Sequence, residues 1–130
     1  MSNLINLLDT YKGEKRELYP LTPSQMGIYL SCMHNPKGTM YNIPCTYVFD
    51  SGSLDTDRLI NAVRKTVDNH PVMKIFIDNS TGSPMMKLRD SVDFDIPVVQ
   101  VDNLEQAGKD FVKPFELEKD VLFRFAIFEC

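Results

Sequence analysis

Residues 55–78, DTDRLINAVRKTVDNHPVMKIFID, decide the fold class. Leu59, Ile60, Val63 and Val67 share one face at helical spacing, while Asp57, Arg58, Arg64, Lys65 and Asp68 share the other. This predicts an amphipathic helix over residues 55–69. The period then shortens: Met73, Ile75 and Ile77 alternate within residues 72–78, as one face of a strand does. A loop at residues 79–84 leads to a second extended run at 85–89, so a hairpin is expected to follow the helix.

The flanking sequence extends this unit in both directions. Upstream, residues 43–50 are rich in β-branched and aromatic side chains and predict a strand, with a turn at 51–53. Before it, Thr22 and Pro23 form a helix start, and Met26, Tyr29, Leu30 and Met33 recur at helical spacing to about His34. Asn35, Pro36, Lys37 and Gly38 stop that helix. A helical patch at residues 3–10 and a polar linker at 11–17 precede the globular part, which is expected to begin near Leu18.

Downstream, residues 92–101 form an extended apolar run broken at Pro97, as in an edge or bent strand. Asp102 and Glu105 have capping-box spacing and open a helix through Phe111, which Pro114 closes. Residues 121–130 predict a strand with Val121, Phe123, Phe125 and Ile127 on one face and Leu122, Ala126 and Phe128 on the other. Apolar residues on both faces suit the inside of a sheet covered on both sides, and the sequence is expected to continue beyond them. The element order gives an α/β (α+β) fold, a mixed sheet with helices packed on it.

Composition narrows the function. With 130 residues and 43% hydrophobic content, the chain suits one domain or part of one. The net charge is −4, and the 14 lysines and arginines are scattered, which argues against nucleic acid. Cys32, Cys45 and Cys130 have spacings of neither a disulfide framework nor a zinc site, and suggest reduced intracellular thiols. Leu4, Ile5, Leu7 and Leu8 are interrupted by Asn6 and lack a basic lead, so no signal peptide is expected. No apolar stretch is long enough to span a bilayer, and a cytoplasmic location follows as the expectation.

Chemistry-bearing residues are sparse. His34 and His70 both fall at predicted helix ends, where a capping or terminating role suffices. The carboxylate pairs Asp55 and Asp57, Asp93 and Asp95, and Glu116 and Glu118 suit solvated faces, since no histidine or calcium-loop pattern accompanies them. Gly82 and Gly108 stand alone, so no phosphate-cradling loop is expected, and no serine lies in a nucleophile elbow. Met26, Met33, Met73, Met85 and Met86 suit core filling. No catalytic or metal-ligating residue emerges from the residues alone.

Several phrases nevertheless resemble a known family. The segment from Tyr19 through Pro20, Leu21, Thr22, Pro23, Ser24 and Gln25 to Tyr29 is similar to the opening motif of condensation domains of nonribosomal peptide synthetases. Gln25 matches the motif glutamine, while Gly27 and Tyr29 stand where many members have arginine and tryptophan. Tyr41, Asn42, Ile43 and Pro44 resemble the phrase before the first long strand. Leu54, Asp55, Leu59, Ala62, His70 and Phe76 fit the second motif region, with Asn69, Pro71, Met73 and Lys74 replacing Arg, Glu, Leu and Arg. Pro114, Phe115, Glu116 and Leu117, then Leu122, Phe123 and Arg124, resemble the phrases preceding the catalytic motif. Arg124 matches the family arginine.

The resemblance implies the first lobe of a chloramphenicol acetyltransferase-like fold, with residues 1–17 as helix and linker and 18–130 as the amino-terminal lobe. It places the catalytic His-His-x-x-x-Asp-Gly motif on the next element, outside these residues, and so implies an inactive fragment. The motif-matching residues are Gln25, Tyr29, Tyr41, Asn42, His70, Lys74 and Arg124; Lys74 would brace the active site as a point charge, without arginine's fork. The implied partners are peptidyl carrier domains with phosphopantetheine-bound thioesters and the carboxy-terminal lobe, in secondary-metabolite synthesis. No cofactor is expected to bind this chain directly. The alternatives are another acyltransferase or an epimerisation domain of the superfamily, or a non-catalytic carrier-docking module that self-associates through its terminal strand.

Overall fold

The computed structural model describes residues 18–130 apart from Ser51 and Ser53. The helical patch at 3–10 and the linker at 11–17 lie outside the described residues. Helix α1, Pro23–His34, starts as its sequence dictates, and more completely. The Thr22 hydroxyl accepts from the Gln25 amide at 3.3 Å, and the Gln25 side chain accepts from the Thr22 amide at 2.8 Å, a reciprocal cap. It ends where Asn35 donates its backbone N–H to the Ser31 carbonyl. Gly38 then passes close to Asn35, and a Cβ there would meet the Asn35 side-chain nitrogen at 2.7 Å.

Helix α2, Thr56–Asn69, is capped by Asp55, whose carboxylate accepts from the Arg58 amide at 3.0 Å. Its apolar stripe turns inward at Val67, the one side chain with no solvent exposure among the described residues. The strand predicted from Val72 starts later. Pro71–Lys74 forms a 3₁₀ turn, with the Met73 amide donating to the His70 carbonyl, and strand β2 is Ile75–Asp78. Proline after the helix end favours this tight turn over immediate extension.

The hairpin forms as predicted. Strand β3, Met85–Leu88, pairs antiparallel with β2, Ile75 opposite Leu88 and Asp78 opposite Met85. Gly82, at φ 80°, supplies the left-handed residue of the connecting loop. Strand β1, Leu18–Pro20, pairs with the other edge of β3, giving the order β1-β3-β2. Three residues ending in proline carry no readable alternation, so sequence patterning misses β1.

A second, parallel pair joins β4, Val98–Gln100, to β5, Ile127–Glu129, with Val98 opposite Ile127. Helix α3, Leu104–Phe111, connects into it. Its cap is Asn103, accepting from the Gln106 amide at 3.0 Å, one residue beyond the Asp102 of the predicted capping box. Asparagine is as good a cap as aspartate. Phe111 meets the Phe128 ring edge-on at 6.0 Å, and Phe94, Phe123 and Phe125 form a second aromatic cluster.

Two predicted strands are corrected. Residues 43–50 carry no strand, and residues 121–130 are a strand only at Ile127–Glu129, with the flanking apolar side chains half-buried on both faces. β-propensity needs a ladder partner, and the described residues offer none to 43–49. The run broken at Pro97 likewise shrinks to the three residues after the proline.

The core consists of Tyr29 at 5% exposure, Val67 at 0% and Ile77 at 7%. With so few fully buried side chains, each matters. Val67→Ala is expected to lower unfolding stability by about 2 kcal/mol, read as a fall in the urea midpoint; an unchanged midpoint would mean that Val67 is not packed as described.

Candidate functional site

The chain between α3 and β5 has little regular structure, yet contacts from distant segments converge on it. Residues 113–120 run from the end of the α3 cap to the approach of β5. Asn42 donates its side-chain amide to the Lys113 carbonyl at 2.8 Å. Arg124 donates to the same carbonyl at 2.7 Å and, through its other terminal nitrogen, to the Pro114 carbonyl at 2.7 Å. The Arg124 guanidinium also lies over the Phe115 ring, 3.9 Å from its centre. One arginine therefore grips three successive residues.

The far half of the loop is held from the other sheet. The Ile77 amide in β2 donates to the Leu117 carbonyl at 3.1 Å, and the Tyr29 hydroxyl in α1 donates to the Glu118 carboxylate at 2.8 Å. Arg89, just past β3, stacks over Phe76 at 4.5 Å and donates to the Lys119 carbonyl at 2.6 Å. Within the loop, the Asp120 carboxylate accepts from the Glu116 amide at 2.8 Å and lies 3.9 Å from Arg124.

Four motif-matching residues thus serve this loop directly or through α1: Asn42, Arg124, Tyr29, and Gln25, whose cap starts the helix that carries Tyr29. Gln25 also reaches the Met86 sulfur at 3.6 Å. Tyr41, beside Asn42, is exposed. His70 and Lys74 stand elsewhere, at the end of α2. His70 turns Nδ1 toward the Thr66 carbonyl at 2.7 Å, and Lys74 donates to the Asp68 and Asp90 carbonyls, each at 3.3 Å. Both act as helix-end fasteners in this chain. Arg89 and Glu118 are the residues that sequence reasoning missed or undervalued. Glu118 is exposed, as expected of a solvated face, and in addition accepts from Tyr29; no spacing rule signals a contact between such distant residues.

The electrostatics follow the geometry. Burial, reinforced by the bond to Glu118 and its charge, raises the Tyr29 pKa above the ordinary phenol value. Hydrogen bonds from Ser80, assisted by nearby Lys87, lower the pKa of Asp78. Glu116 holds the Lys119 ammonium above its usual value. Among the described residues no group of three or more histidines, cysteines or carboxylates is placed to hold a metal. A shallow groove between α3 and the parallel pair is lined by Val99, Val101, Phe111, Ala126 and Phe128, with Asp110 as its polar member.

Comparison with known proteins gives the scaffold its family. The model of the condensation domain matches residues 15–130. The chain belongs to the condensation-domain family. It is 31% identical over 118 residues to bacitracin synthase 2 of Bacillus licheniformis, covering 89% of this chain and 4% of that protein. It is 32% identical over 115 residues to bacitracin synthase 3 of the same organism, covering 87% of this chain and 2% of that one. Surfactin synthase subunit 1 of Bacillus subtilis (strain 168) is 32% identical over 117 residues, covering 88% of this chain and 3% of its own length. The chain therefore spans only a few per cent of these relatives. The motif resemblance and the α/β architecture agree with this membership. No helix among the described residues is long and apolar enough to cross a membrane.

The Tyr29–Glu118 bond predicts a pH signature. A proton held more tightly in the folded state stabilises fully below the unfolded tyrosine pKa of about 10, and this contribution is lost as pH rises through the raised folded value. At pH 8, Tyr29→Phe should cost about 1 kcal/mol of unfolding stability. In alkaline solution the gap should narrow, because only the wild type must ionise this side chain on unfolding. A gap that stays constant between pH 8 and pH 11 in urea titrations would contradict the assigned bond.

Proposed function

We propose that this chain is the amino-terminal part of the first lobe of an amide-forming condensation domain in a nonribosomal peptide synthetase. The observation that carries the reading is the convergence of motif residues from separate segments, Asn42 and Arg124, on the Lys113 carbonyl. The phrases that hold Tyr29, Asn42, Pro114 and Arg124 meet at one loop, while His70 and Lys74 stand at the end of α2. In the proposed reaction an amine on one carrier domain attacks the thioester carbonyl carbon of an acyl group on another. The C–N bond forms, the C–S bond breaks, and the amine proton leaves with the thiol.

The phosphopantetheine arm that bears such thioesters belongs to the carrier partners. The groove beside α3 does not fit it, since it is apolar and offers Asp110, a carboxylate, where a phosphate would need donors. No step is therefore assigned through the arm. What residues 18–130 contribute is bracing. Arg124 and Asn42 fix the loop before β5, Tyr29 ties α1 to it, and Lys74 holds the turn after α2 as a single positive charge. The carboxy-terminal lobe and the carrier domains are the proposed partners, and the cytoplasm the proposed location.

The test uses two loaded carrier domains and mass detection of the amide. The 130-residue chain alone should form none, while a longer polypeptide that continues through a His-His-x-x-x-Asp-Gly motif should form it. Product from the short chain would overturn the bracing role; no product from the longer one, with well-folded protein and several carrier pairs, would overturn the catalytic reading.

A further inference from the structure

Lys74 and Arg124, two of the motif-matching residues, stand in different parts of the fold, and a residue outside the motif phrases joins them. Arg89 is the first residue past β3, one step beyond the Ile75–Leu88 pair of the hairpin, and its backbone N–H donates to the Lys74 carbonyl at 2.9 Å. Its side chain turns away from the ladder. The guanidinium lies over the Phe76 ring in β2, 4.5 Å from its centre, and donates to the Lys119 carbonyl at 2.6 Å. Next to Lys119, the Asp120 carboxylate accepts from the Glu116 amide and lies 3.9 Å from Arg124. Contacts thus run without a break from the turn after α2, through Arg89, to the arginine that grips Lys113 and Pro114.

We infer that Arg89 is a positioning residue for the proposed amide-forming reaction, tying the turn that carries Lys74 to residues 113–120. This rests on the reading of the chain as part of a condensation domain. The hairpin itself does not need the Arg89 side chain, because four residue pairs and the Arg89 backbone already hold β2 to β3. Lys74 reaches the Asp68 and Asp90 carbonyls and so fastens the turn on the α2 side. Arg89 supplies the link on the loop side, with its side chain half-buried and its charge directed at a neutral carbonyl. A charge-assisted bond combined with a stacked ring leaves the guanidinium one geometry, so it fixes a distance between the two segments where a flexible contact would not. Such distances matter to catalysis, since a misplacement of about 1 Å in a supporting element can cost on the order of a hundredfold in rate.

The test measures kcat and KM for loaded carrier domains in the longer polypeptide that continues through the His-His-x-x-x-Asp-Gly motif, with each variant shown to be folded by circular dichroism. Arg89→Met keeps an apolar stem beside Phe76 but no donor, and should lower kcat about tenfold while KM stays within about twofold. Arg89→Lys, with one charged donor, should return about threefold of that loss. Because Arg89 acts through the loop, its removal should cost less than about twofold more once Arg124→Met has already loosened that loop. In hydrogen–deuterium exchange the Lys119 and Asp120 amides, which both donate to the Glu116 carbonyl, should exchange about fivefold faster in Arg89→Met, while the α2 amides keep their rates. An unchanged kcat in Arg89→Met, or losses that simply multiply with those of Arg124→Met, would overturn the positioning role and leave the amide-forming reading standing. No amide from the wild-type polypeptide would overturn that reading instead. Exchange then decides the tie by itself: faster exchange at residues 119 and 120 supports it, and unchanged exchange overturns it.

Discussion

A single backbone carbonyl, that of Lys113, carries the constraint on which the two halves of this structure depend. It accepts from Asn42, in the segment that follows α1, and from Arg124, on the approach to β5. A carbonyl has two lone pairs, so both bonds are made without competition. The Arg124 bond is charge-assisted and comes with a second bond to Pro114 and a stacked ring at Phe115, which together fix its long side chain in one geometry. Without this grip residues 113–115 would lose their fastening, because the bonds from Ile77, Tyr29 and Arg89 reach only Leu117, Glu118 and Lys119.

The loop in turn substitutes for a large core. Tyr29, Val67 and Ile77 are the only buried apolar residues among the described residues, and two of them touch the loop through polar atoms, the Tyr29 hydroxyl and the Ile77 amide. Polar fastening at the surface is weak bond by bond, and each net hydrogen bond contributes on the order of 1 kcal/mol. Several such bonds on one short segment act together because ordering the segment once satisfies them all.

What could be read from the sequence was what is local. α2 follows from its stripe, α1 from Thr22 and Pro23, and the hairpin from the change in period, because caps and periodicity are settled within a few residues. Strands are settled by partners. Residues 43–49 have every compositional mark of a strand and no ladder bond to another described residue, whereas Leu18–Pro20 has almost no mark and pairs with β3. The shift of the α3 cap from Asp102 to Asn103 is smaller, a choice between two good caps. At the candidate site, the motif resemblance picked out Asn42 and Arg124 without their meeting point, and Arg89 and Glu118 were invisible because their partners lie far off in sequence.

The chain belongs to the condensation-domain family, and in it the side chains of Asn42, His70, Lys74 and Arg124 all meet backbone carbonyls. The most direct test is a double-mutant cycle in urea on Asn42→Ala and Arg124→Ala. While either donor remains, the loop stays fastened at Lys113; when both are gone the exposed carbonyl turns to water and that fastening is lost. The cost of the double variant should therefore exceed the sum of the single costs by about 1 kcal/mol. Costs that simply add would show that the two side chains do not share that carbonyl, and the central constraint would be lost.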